Sequence, residues 1–173
     1  MPKTLLLLRH ATSDHDTDAD DAGRPLTPQG LKDCAVMATY LRKNHLTPQR
    51  VLCSDALRTT QTAQNVLAPL LPKPIVSNTH DLYLATAGEI LKVLATVPDH
   101  IQIVLVVAHH PGLQQLALFL MGQHQKNASE LYRHYPTTGL AHFSIHASSW
   151  QQLDASSSLF NDFTYPKMLQ EKR

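Results

Sequence analysis

A chain of 173 residues, 43% hydrophobic and 17% charged, can bury one sizeable core, is too short for two, and is too apolar to be disordered. Its 15 Lys and Arg are dispersed and face 14 Asp and Glu, so neither a global field nor a basic patch favours nucleic acid or an anionic membrane. Met1–Leu8 is too short for a secretory signal, no apolar segment approaches a membrane span, and the two cysteines, Cys34 and Cys53, imply no disulfide framework. The expectation is a cytoplasmic monomer, a single domain over residues 1–173, with no nucleic-acid or membrane partner.

Leu5–Leu8 reads as a strand that ends directly on Arg9-His10. Asp14–Gly23 is an acidic loop beside that end, and Thr27-Pro28 starts a helix carrying Leu31, Cys34, Ala35, Ala38 and Leu41 on one face. Val51–Cys53 is a short strand running into Ser54 and Asp55, both good N-caps, with a helix from Ala56 to about Leu71 that Pro72 and Pro74 close. Pro74–Ser77 is another short strand. Thr86-Ala87-Gly88-Glu89 is a capping box for a helix through Ile90, Leu91, Leu94 and Val97. Ile103–Val107 is the most continuous apolar run and predicts a central strand buried on both faces, delivering His109 before Pro111-Gly112 and a helix over Gly112–Met121. Ala141, Phe143, Ile145 and Ala147 alternate with His142, Ser144 and His146, the pattern of a half-exposed strand that would suit an edge. Strands alternating with helices imply a three-layer α/β/α sandwich around a mostly parallel sheet.

Ligands of open α/β sheets sit at the carboxyl ends of the strands. Three such ends present Arg9 and His10, then Arg58 in the first turn of a helix, then His109. Guanidinium groups offer fixed forks of donors to phosphate, a helix N-terminus favours anions, and neutral imidazole is a nucleophile. Together they describe an anion pocket.

Arg9-His10, the Ser54–Ala63 segment with Arg58, and Ala108-His109-His110-Pro111-Gly112 resemble the histidine phosphatase superfamily, most closely its small SixA-type phosphohistidine phosphatases. Arg24-Pro25-Leu26-Thr27 and Phe163-Thr164-Tyr165-Pro166-Lys167 are similar to further segments of that group. The chain departs from the family pattern with Ala11 for a usual Gly and His110 for a usual Asn.

The resemblance implies a phosphoglycerate-mutase-like fold and a metal-independent, cofactor-free phosphatase. His10 would be the nucleophile, forming a transient phosphohistidine, and Arg9, Arg58 and His109 would hold the phosphoryl oxygens. Asp81 is the candidate general acid, with Asp14 and Glu89 weaker ones, and Ser13, Arg24 and His110 are candidates for the pocket rim. The implied substrate is a phosphorylated protein carrying phosphohistidine; the alternative is a small phosphorylated metabolite. Mutase activity fits less well, for want of segments to build a lid.

Other classes fit the residues less well. A cysteine-dependent phosphatase loop would join Cys53 to Arg58, but the interval is one residue short and contains no glycine. A metal site could draw on eleven histidines, yet the adjacent His109 and His110 point opposite ways on leaving a strand, and Arg9 and Arg58 would repel a cation. A non-catalytic phosphoprotein-binding module would keep the pocket without turnover.

Overall fold

The computed structural model describes residues 1–122 and 128–171. Its strands are β1 (Lys3–Arg9), β2 (Arg50–Ser54), β3 (Ile75–Thr79), β4 (Ile103–Ala108), β5 (Leu140–Ile145) and β6 (Ser158–Thr164). The helices are α1 (Pro28–Lys43), α2 (Leu57–Leu67), α3 (Ala87–Leu94), α4 (Gly112–Met121), α5 (Ser129–Arg133) and α6 (Pro166–Glu171). One mixed sheet runs β3-β2-β4-β1-β5-β6. Its first four strands are parallel to one another, and β5 and β6 add antiparallel pairings.

The leucine run of β1 feeds both faces of the sheet. Leu5 and Leu7 pack with α3 and α4 residues such as Ile90, Leu94, Leu113 and Leu116. Leu6 and Leu8 pack with Cys34, Met37 and Leu41 of α1 and Ala63 and Val66 of α2. Strand β4 divides likewise, Val104 and Val106 to one side and Leu105 and Val107 to the other. With two apolar layers to cover, each strand carries a continuous rather than an alternating apolar pattern. The sheet thus lies between two helical layers, as expected.

Local signals explain the helix positions. Thr27 caps α1 by accepting from the Gly30 amide, with Pro28 in the first turn, and Thr86 and Glu89 form the complete capping box of α3. Gly30 and Gly112 are dictated by close approach, since a Cβ would overlap the Thr12 carbonyl oxygen in the first case and the Ala85 carbonyl oxygen in the second. Both contacts draw loops toward the carboxyl ends of the central strands.

Three expectations need correction. Strand β5 is not an edge, because β6 pairs with it on the side away from β1. The register breaks between His142 and Phe143, so Phe160 and Phe163 both face inward three residues apart, and the period of two that announces a strand is lost. Helix α2 ends at Leu67, short of the prolines, and α3 ends at Leu94, short of Val97.

Candidate active site

Strand β4 sits between β2 and β1, so the carboxyl ends of the three converge. The main chain of His10 is fixed on two sides: its amide donates to the Ala108 carbonyl at 3.1 Å, and its carbonyl accepts from the Thr138 amide at 3.1 Å. The ring is 7% exposed, and its Nδ1 lies 2.8 Å from the Ala11 carbonyl oxygen. A carbonyl can only accept, so the proton resides on Nδ1 and Nε2 carries the free lone pair. Burial, then the nearby His109, Arg9 and Arg58, push the His10 pKa down to about 3, against a raising contribution from the Ala11 bond. His10 is therefore a neutral imidazole with an available ring nitrogen.

Two arginines flank it. Arg9 donates from Nη1 to the Tyr135 carbonyl at 2.7 Å, and Tyr135 is itself anchored by its hydroxyl to the Leu7 carbonyl at 2.6 Å. Arg58, 2% exposed, donates from Nη1 to the Asp21 carbonyl at 2.5 Å and from Nη2 to the Asp21 carboxylate at 3.1 Å. The Nε–H groups of both arginines are buried without a partner. Burial and repulsion from Arg58 lower the Arg9 pKa. Two mutually repelling guanidiniums, Arg58 buried and Arg9 half-buried, each with an unpaired Nε–H, favour an anion between them.

His109 completes the set. Its ring centroid lies 5.4 Å from that of His10, its Nδ1 accepts from Arg58 Nη2 at 3.3 Å, and its Nε2 donates to Ser54 Oγ at 2.8 Å. Burial and the neighbouring Arg58 hold its pKa down to about 4. All four residues line one cavity of about 270 Å³.

A family model described as histidine phosphatase superfamily (branch 1) matches residues 5–80. An uncharacterized protein of Mycobacterium leprae is 31% identical over 171 residues, covering 92% of this chain and all of that one. The chain belongs to the histidine phosphatase superfamily. Among solved structures, a candidate phosphohistidine phosphatase SixA from Nakamurella multipartitia superposes with a TM-score of 0.85 at 27% identity, covering 96% of this chain and 97% of that one. A protein histidine phosphatase SixA complexed with tungstate shares the fold, with a TM-score of 0.77 at 24% identity, covering 96% of this chain and 99% of that one.

Seen as a member of this superfamily, the chain tolerates its two departures for visible reasons. Ala11 is fully buried, donates its amide to Thr62 Oγ1 at 2.9 Å, and is not among the residues with positive φ, so glycine is not required there. His110 lines the cavity and donates from Nε2 to Gln114 Oε1 at 3.0 Å. Ser13 and Arg24 also line it, joined by a bond of 3.0 Å from Arg24 Nη1 to Ser13 Oγ.

Asp81 is not brought to this cavity. The single 3₁₀ turn His80–Leu82 buries Leu82 and turns Asp81 outward, where it lines a separate cavity of about 380 Å³ with Glu89. The carboxylate that does line the phosphatase cavity is Asp21, from the acidic loop. It accepts from Arg24, from Arg58 and, by a short bond, from the Tyr83 hydroxyl. The signal for Asp21 was only its place in that loop, where five aspartates lie between residues 14 and 21 and sequence cannot choose among them. Tyr83, whose ring meets His109 edge-on at 5.5 Å, carried no signal of its own.

The N-cap expectations for α2 also need correction. Neither Ser54 nor Asp55 caps it; Ala56 occupies that position without a side-chain bond. The Ser54 hydroxyl is used by His109, and Asp55 faces His80 at 3.1 Å. The Leu57 amide is taken by the Ala22 carbonyl at 2.8 Å, which ties this helix end to the acidic loop.

The two depressed histidines fix a pH dependence of stability. Unfolded, each binds its proton below about pH 6.5, whereas the native pKa values are about 3 for His10 and about 4 for His109. The unfolded state therefore binds more protons through this window, so the contribution is complete above the window and is lost as pH falls through it. Urea midpoints measured from pH 7 to 4.5 are expected to decline, and less steeply in His109→Gln. Identical slopes in the native protein and the variant would contradict the assignment.

Proposed function

We propose that this chain is a metal-independent phosphohistidine phosphatase, acting in the cytoplasm as a single-domain monomer on phosphorylated proteins. The observation that carries the reading is the neutral His10, with Nε2 free, set between the buried Arg58 and the half-buried Arg9, whose Nε–H groups are both unpaired. Such a group can attack phosphorus while fixed donors take up charge on the equatorial oxygens. Arg9 and Arg58 supply charge and donors. The negative charge of a bound phosphoryl group favours the protonated form of His109, in which Nδ1 turns from acceptor to donor while Nε2 goes on donating to Ser54 Oγ. The covalent product is a phosphohistidine that water hydrolyses.

The choice of a protein phosphohistidine rests on likeness to SixA structures, joined to the small volume of the cavity, about 270 Å³, which leaves a large leaving group outside. The test compares kcat/KM for a phosphohistidine peptide, a phosphoserine peptide and small sugar phosphates. The phosphohistidine peptide is expected to lead by at least about tenfold, a ratio equal to ~1.4 kcal/mol of transition-state preference. A clear preference for a sugar phosphate would move the function to a metabolite phosphatase.

Inhibition separates the chemistry from metal-assisted hydrolysis. Tungstate and vanadate, which can take up five-coordinate geometry, are expected to inhibit strongly, and a chelator to leave turnover unchanged. Among the described residues no three His, Cys, Asp or Glu side chains are grouped to hold a metal ion. Turnover lost on chelation and restored by zinc would contradict the reading.

A further inference from the structure

Of the carboxylates among the described residues, Asp21 alone lines the cavity that holds His10. Its side chain is 48% exposed whereas that of Arg58 is 2% exposed, which places the carboxylate toward the mouth, where a leaving group departs and water enters. We propose that Asp21 is the acid–base residue of this phosphatase site, held in place by Tyr83; the proposal rests on the phosphohistidine mechanism above.

The anchoring of the loop distinguishes this role from that of a lid. The backbone around Asp21 is pinned to α2 twice, by the Asp21 carbonyl on Arg58 and by the Ala22 carbonyl on the Leu57 amide. Neither bond uses the carboxylate. A phosphoryl group that competes for Arg58 can therefore displace the carboxylate oxygen from the guanidinium without releasing the loop, leaving Asp21 beside the reacting group. Tyr83 and Arg24 remain as its partners. Repulsion by the incoming negative charge also makes this carboxylate more basic than it is in the free protein, where Tyr83, Arg24 and Arg58 hold its pKa well below the usual carboxylate range.

The proton balance closes for a phosphomonoester bound as its monoanion. Asp21 takes the proton from the phosphoryl oxygen. The bond from His10 Nε2 to phosphorus forms as the bond to the leaving oxygen breaks, and Asp21 passes its proton to that oxygen. Water then forms a bond to phosphorus as the P–Nε2 bond breaks, its proton going to Asp21. Asp21 returns that proton to the departing phosphate, and His10 is neutral again.

The experiment is pre-steady-state turnover of a nitrophenyl phosphate and an alkyl phosphate by the native protein, Asp21→Asn, Asp21→Glu and Tyr83→Phe. For Asp21→Asn the alkyl phosphate is expected to lose about 10²- to 10⁴-fold in kcat/KM, the usual range for acid–base catalysis, and the nitrophenyl ester far less. The same variant is expected to release one equivalent of nitrophenol in a burst and then turn over slowly, because the phosphoenzyme lacks its base. Hydroxylamine, a nucleophile that depends less on a base, should accelerate that slow phase. Asp21→Glu should recover part of the alkyl activity, and Tyr83→Phe should shift both substrates in the same direction as Asp21→Asn but by less. Equal losses on the two esters without a burst would make Asp21 merely structural, and a gain on both would make it an inhibitory carboxylate; either overturns the proposal while leaving the His10 mechanism standing. Absence of turnover in the native protein would overturn both.

Discussion

His10→Ala is expected to lower turnover by at least about 10⁴-fold, in line with the effect of removing a nucleophile from a covalent mechanism. The remaining residues still form an anion pocket, so tungstate should continue to bind, and binding without turnover separates loss of the nucleophile from loss of the site. The fold should persist. His10 is held mainly through its main chain, by Ala108 and Thr138, and the only side-chain bond removed is the one from Nδ1 to Ala11. One hydrogen bond of this kind contributes about 1 kcal/mol, and removing the ring also removes a buried group that is costly to protonate. Turnover within tenfold of native would show that His10 is not the nucleophile.

Arg58→Met is expected to separate activity from stability. Loss of one donor group aimed at developing charge typically costs about 10²- to 10³-fold in rate. Here the same side chain also pins Asp21 through both Nη groups and donates to His109, so kcat/KM should fall at the upper end of that range. Tungstate affinity should fall with it. Stability should hold or rise, because the substitution removes a buried cation that repels Arg9 and leaves Asp21 paired with Arg24 and Tyr83. Thermal melts alongside kinetics decide the matter: a variant that loses activity only in proportion to loss of folded protein would show that Arg58 is architectural.

Much of this site was legible because the strands announce it. Leu5–Leu8 and Ile103–Val107 are uninterrupted apolar runs, each buried between two helical layers, and such runs end where the first polar residues emerge at the sheet's carboxyl edge. His10 and His109 follow directly, and Arg58 is fixed by the turn after β2. The parts that were not legible depend on tertiary partners. Ser54 has the chemistry of an N-cap, but its hydroxyl is used by His109 instead. Asp81 is the acid the family resemblance implies, yet the 3₁₀ turn His80–Leu82 buries Leu82 and leaves Asp81 at a separate cavity. Asp21 lay hidden among equivalent aspartates, since what selects it is the placement of Arg24, Arg58 and Tyr83, drawn from three separate segments. Strand β6 carries no period-two signal for a different reason: the break in register opposite His142 erases its alternation.

The central claim is that a phosphoryl group passes through Nε2 of His10. Rapid quenching of the native protein with radiolabelled phosphohistidine peptide, followed by proteolysis and fragment mapping, tests it directly. The expected result is a phosphoenzyme labile to acid and stable to base, formed at a rate consistent with turnover, with the label confined to the fragment bearing His10. Label on His109, an acid-stable phosphoester on a serine or threonine, or turnover with no phosphoenzyme at any quench time would contradict the account.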